Sequence, residues 1–138
     1  MKLSKGFKAL LYAACGALYA TGVAVRLLAT RGLVDRGLGP EPMPARTSIL
    51  IAHSVVGLAF LVLFGCLWSA HVEPGLRRKK KRRSGPVLLA AFGIMILTVP
   101  LLFYASGEAA RARTAAVHAW LGVILLAPFL FHLRSERV

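Results

Sequence analysis

Along this chain, long apolar blocks alternate with short polar links. Four blocks stand out, at about 9–29, 48–71, 86–105 and 115–133. Each runs for about 20 residues, and as a helix with 1.5 Å of rise per residue it spans roughly 30 Å, the thickness of a bilayer's hydrocarbon core. The pattern predicts an all-α integral membrane protein, a four-helix bundle running up-down-up-down as one transmembrane domain over 1–138.

The punctuation between blocks agrees. RGLVDRGLGPEPMPAR, between Thr30 and Thr47, holds three glycines and three prolines, so an exposed loop is expected there. Thr47 and Ser48 offer caps for the second helix, and Pro74-Gly75 is expected to close it. Pro86 suits the first turn of the third helix, while Pro100 predicts a kink inside it. The polar link SGEAARART leads to Thr114 as a cap for the fourth helix, where Pro128 bends the second half. Lys2, Lys5 and Lys8 open the chain as they would a signal peptide. The apolar run after them is too long for one and no clear A-x-A site follows, so a first transmembrane helix is expected.

Composition supports a membrane class, with 57% hydrophobic and 17% charged residues. A net charge of +13 raises nucleic acid as a partner, but seven of the eighteen basic residues form one run, Arg77 to Arg83, between two apolar blocks. That run acts as a topology signal. With the amino terminus inside, the inner segments hold Lys2, Lys5, Lys8, the run, Arg134 and Arg137. The outer side keeps Arg26, Arg31, Arg36, Arg46, Arg111 and Arg113. Both termini and the basic loop 72–85 are then cytoplasmic, in the cell's inner (plasma) membrane, with the loop facing anionic lipid or a partner. Cys15 and Cys66 lie in apolar stretches without a C-x-x-C, so buried free thiols are expected.

The chemistry lies in four histidines. His53 and His71 bracket the second apolar block, His118 and His132 the fourth, and there are no others. If these two helices run the same way, His53 and His118 share the outer depth, and His71 and His132 the inner one. Eighteen residues make about five turns and fourteen about four, so each helix should carry both its imidazoles on one face. The seams read His53, Gly57, Phe60, Phe64, Leu67, His71 and His118, Gly122, Leu125, Phe129, His132. Their alternating steps of four and three fit a left-handed bundle. Both outer histidines belong to an H-x-x-x-G motif, HSVVG and HAWLG, which hints at two similar helical hairpins.

Two facing neutral imidazoles in an apolar shell suit a bis-histidine haem, and a glycine one turn beyond each leaves room for the porphyrin edge. The four histidines with Gly57 and Gly122 resemble the pattern of respiratory cytochrome b and of small membrane di-haem b-type cytochromes, such as the membrane anchors of formate dehydrogenases and hydrogenases. The fourteen-residue spacing matches the respiratory pattern; the eighteen-residue spacing that ends at His71 departs from it.

The resemblance implies two haem b groups, the outer iron on His53 and His118 and the inner on His71 and His132. Phe60, Phe64, Leu125 and Phe129 would pack between them. Arg26, Arg46, Arg111 and Arg113 would meet the outer propionates, and Arg77, Arg78 and Arg134 the inner. Tyr104 and Glu108 would line a quinone pocket. The function implied is electron transfer between a quinone pool and a redox partner. Without a flavin, nucleotide or iron–sulfur motif in the sequence, the chain is expected to serve as an electron-transfer subunit rather than a complete oxidoreductase. Two rivals stay open: a histidine-lined proton or metal-ion transporter, and a cofactor-free membrane anchor.

Overall fold

The computed structural model describes residues 3–29, 33–35, 40–77 and 84–135. Lys2, Arg31, Arg36, the run from Arg78 to Arg83 and Arg137, all part of the charge asymmetry above, lie outside the described residues. The chain divides into two compact units, Met1–Lys79 and Lys80–Val138.

In the first unit, α1 (Lys5–Ala29) begins earlier than its apolar block. The reason is Ser4, whose Oγ accepts a hydrogen bond from the Phe7 N–H at 3.2 Å and so caps the helix. The glycine- and proline-rich link, expected as irregular loop, contains a short antiparallel ladder of β1 (Leu33–Asp35) and β2 (Pro40–Pro42), with Leu33 opposite Pro42 and Asp35 opposite Pro40. Two prolines two residues apart share one phase of the strand. The phase whose N–H points away from the partner tolerates both.

Helix α2 (Pro44–Leu67) starts at Pro44, three residues ahead of the expected caps, because proline's fixed φ and missing N–H suit a first turn. Its far end corrects a second expectation. The helix does not close at Pro74-Gly75 but widens into a π turn over Trp68–Val72 and continues as α3 (Glu73–Arg77). A proline inside an α-helix collides with the carbonyl four residues back and leaves it without a donor. Here the Glu73 N–H reaches the Trp68 carbonyl, five residues back, and the widened turn makes room for the Pro74 ring.

The second unit holds α4 (Ser84–Tyr104), α5 (Glu108–Ile124) and α6 (Leu126–Ser135). Pro100 lies inside α4, as expected. Gly107 joins α4 to α5 with φ of 102°, a conformation that L side chains rarely adopt. The fourth span therefore begins at Glu108, not beyond Thr114. Its break between α5 and α6 falls at Leu125, three residues before Pro128, and the Ile124 carbonyl, four residues before that proline, loses the donor an ordinary residue would supply. The ladder resumes at once, with Leu125 N–H to Leu121 O at 2.8 Å and Phe129 N–H to Leu125 O at 3.1 Å.

Each unit is a helical hairpin. In the first, Gly22 lies against His53 and Leu18 against Gly57, so α1 and α2 run antiparallel. In the second, Met95 lies against Gly122 and Gly85 against His132, so α4 is antiparallel to α5 and α6. Among the described residues, the only buried hydrophobic side chains are Leu11, Phe60, Leu88 and Leu125. Large apolar side chains such as Leu58, Val62, Leu97, Phe103 and Phe131 stand 65% or more exposed. In water that much apolar surface would drive association; hydrocarbon solvates it without penalty. The helical stretches Lys5–Ala29, Pro44–Arg77, Ser84–Tyr104 and Glu108–Arg134 are each long and apolar enough to cross a membrane, which fits a multi-pass membrane protein.

Candidate functional site

The two seams read from the sequence are the less exposed stripes of their helices. His53, Gly57, Phe64, Leu67 and His71 are half-buried and Phe60 is buried, while Val55, Leu58, Leu61 and Val62 beside them are exposed. His118, Gly122, Phe129 and His132 are half-buried and Leu125 is buried. Phe60 and Phe64 stack with ring centroids 6.1 Å apart and planes tilted by 32°.

His53, His118 and His132 each meet a hydroxyl group on the helix packed antiparallel to their own. His53 Nδ1 lies 2.9 Å from Thr21 Oγ1, and His118 Nδ1 lies 2.7 Å from Thr98 Oγ1. His132 Nδ1 lies 3.1 Å from Ser84 Oγ. The threonines are themselves tied to backbone. Thr21 Oγ1 donates toward the Ala17 carbonyl at 2.6 Å, with the Leu18 carbonyl at 3.3 Å, and Thr98 Oγ1 donates to the Met95 carbonyl at 2.7 Å. Since His118 and His132 both contact α4, the expectation that they share one face holds within this hairpin.

No family model, characterised protein or solved structure matches this chain.

His71 stands apart from the other three. It lies half-buried within the π turn, which takes up one more residue than an α turn. The π turn therefore offsets the α-helical count from His53, while His71 stays half-buried with the rest of its seam.

The glycines divide into two kinds. A Cβ at Gly57 would sit 3.9 Å from Leu18 Cδ2, and one at Gly122 would sit 3.5 Å from Met95 Cε, both ordinary contacts. Neither hairpin needs a glycine there for its own packing. At Gly22 a Cβ would come within 3.2 Å of His53 Cε1, so this residue lets the imidazole lie against α1. Sequence reading missed Gly22 together with Thr21, Thr98, Ser84 and Met95. The signal available was a threonine in the middle of an apolar span, a common source of interhelical hydrogen bonds.

The expected propionate partners are placed unevenly. Arg26, Arg111, Arg113 and Arg134 are exposed near helix ends. Arg77 pairs with Glu73 one turn back, at 2.7 Å, in an exposed ion pair of small energetic weight. Arg46 differs from these. Its Nε is buried without a hydrogen-bond partner, alone among the described side-chain atoms, and it lies seven residues, or two turns, before His53. An unsatisfied buried donor costs about 1–3 kcal/mol, which an anionic group at that place would offset. Tyr104 is 87% exposed and Glu108 is exposed at the start of α5. Cys15 is half-buried and Cys66 exposed, so the free thiols are less enclosed than expected. Among the described residues no three His, Cys, Asp or Glu side chains cluster as an all-protein metal site requires. An iron porphyrin asks the protein for only two axial ligands.

Proposed function

We propose that this protein is a di-haem b-type cytochrome of the membrane that passes electrons across the bilayer between a quinone pool and a redox partner. In this reading His53 and His118 ligate the outer haem iron and His71 and His132 the inner one. The observation that carries it is the matched placement of His53 and His118. Each lies on the less exposed seam of an apolar span, with Nδ1 against a threonine of the preceding helix. A hydrogen bond on one ring nitrogen orients the imidazole and directs the other nitrogen to a metal.

Haem, when bound, supplies an iron that changes valence by one electron. The chain supplies everything else. Its histidines would ligate the iron, Thr21 and Thr98 would orient His53 and His118, the apolar spans would exclude water, and Phe60, Phe64, Leu125 and Phe129 would provide the shell along the seams. Arg46 offers its unpaired Nε to a propionate at the outer end. With both termini cytoplasmic, in the inner (plasma) membrane, the basic loop is free to dock a partner subunit or anionic lipid. Tyr104 and Glu108, exposed at the outer end of α4 and the start of α5, form the quinone-facing edge in this reading.

The test is a visible spectrum of the purified protein, dithionite-reduced minus oxidised, with haem counted per chain. A cytochrome gives a sharp α band and up to two haems. A colourless chain that takes up no added haem refutes the reading. The transporter alternative calls instead for pH-driven or metal-ion flux in proteoliposomes.

A further inference from the structure

The hydrogen bonds around His118 form a directed chain. The Met95 carbonyl only accepts, and Thr98 Oγ1 lies 2.7 Å from it, so the single hydroxyl proton of Thr98 is committed to that carbonyl. Threonine hydroxyls in helices bond back to a carbonyl one turn earlier in just this way. The oxygen of Thr98 is then left as an acceptor, and His118 Nδ1, 2.7 Å away, must bring the proton. If Thr98 donated to Nδ1 instead, its oxygen and the Met95 carbonyl would face each other as two acceptors with no hydrogen between them. Thr98 is only 6% exposed, so water cannot resolve such a conflict cheaply.

The same chain recurs in the other hairpin. Thr21 Oγ1 is committed to the Ala17 carbonyl at 2.6 Å and lies 2.9 Å from His53 Nδ1. Of the two ring nitrogens, Nδ1 is the nearer to α1 at Gly22. Ser84, beside His132, shows no such commitment to a carbonyl among the described bonds, so the directed chain belongs to His53 and His118.

We propose that Thr98 and Thr21 are positioning residues that fix His118 and His53 as Nδ1–H tautomers, making Nε2 the nitrogen that binds iron. The assignment of Nε2 to iron rests on the haem reading; the tautomer does not. An Nδ1–H that donates to an oxygen makes the ring a stronger donor through Nε2, which favours ferric over ferrous iron. The two threonines therefore hold the outer potential down as well as orienting its ligands.

The test uses the full-length chain with [15N]histidine in lipid nanodiscs, first purified haem-free and then loaded with haem. Long-range proton–nitrogen correlations report which ring nitrogen carries the proton, with resonances assigned through His53→Gln and His118→Gln. The expected result is Nδ1–H for both histidines. Thr98→Val, nearly the same shape, should convert His118 alone to a mixture containing Nε2–H, and Thr98→Ser should restore it. In the haem-loaded protein Thr98→Val should raise the outer midpoint potential. A tenfold loss of ferric preference is about 59 mV for one electron, and Thr98→Ser should recover it. Nε2–H at His118 in the unsubstituted chain, or a tautomer indifferent to Thr98→Val, overturns the proposal. A chain that shows Nδ1–H at both positions yet binds no haem supports the tautomer assignment and refutes the haem reading.

Discussion

Glycine to alanine should give one result at Gly57 and Gly122, on the seams, and the opposite at Gly22, which faces His53 from α1. At Gly57 and Gly122 the added methyl would meet Leu18 Cδ2 at 3.9 Å and Met95 Cε at 3.5 Å, ordinary van der Waals distances. The hairpin loses nothing, and replacing glycine in a helix with alanine gains up to about 1 kcal/mol of helix propensity. At Gly22 the methyl would lie 3.2 Å from His53 Cε1, a few tenths of an ångström too close. The His53 ring must then move away from α1, which lengthens the 2.9 Å contact with Thr21. Losing that bond costs about 0.6–1.7 kcal/mol within a membrane. Unfolding of the haem-free protein in mixed micelles, followed by circular dichroism, measures this part. Gly57→Ala and Gly122→Ala should match or exceed the unsubstituted protein, and Gly22→Ala should fall below it. Haem per chain measures the other part. If Gly57 and Gly122 make room for a porphyrin edge, their alanine variants lose outer haem although their hairpins are as stable as before. Full haem occupancy in both variants would refute the role given to these glycines, and a loss of hairpin stability in either would refute the packing argument.

Further outcomes follow from the same contacts. His118→Ala should remove one haem of two and leave the second spectrum intact; retention of both haems rejects the ligand assignment. Arg46→Met removes a buried unpartnered donor and should stabilise the haem-free protein by about 1 kcal/mol, while weakening retention of the outer haem in a haem-transfer assay. Gly107→Ala forces a side chain into φ of 102° and should lower stability by more than about 1 kcal/mol, seen as a lower denaturant midpoint.

Much of the architecture was legible in the chain. Four apolar blocks of spanning length dictate four helices, because in hydrocarbon a backbone must satisfy its own hydrogen bonds. The seams were legible as well, since an apolar helix with steps of three and four buries one stripe whatever its neighbour, and His53 through Phe64 and His118 through His132 do lie on the less exposed faces. The end of the second helix was not. Pro74-Gly75 reads as a stop on local grounds, yet a π turn whose bond runs from Glu73 to Trp68 absorbs the proline and carries the helix on to Arg77. That local accommodation shifts the register at His71, the one histidine whose spacing already departed from the respiratory pattern.

The sequence by itself determined which residues could be ligands and which stripe of each helix they occupy, because both follow from residue type and a fixed helical repeat. Only the tertiary structure decided what touches them. Whether Thr21, Thr98 or Ser84 comes level with a histidine depends on the sliding register of two antiparallel helices, which the connecting links and the packing of Gly22 and Met95 set. Helical periodicity within one strand of sequence says nothing about that offset. The hydroxyl partners of the histidines therefore emerge only once each hairpin is closed.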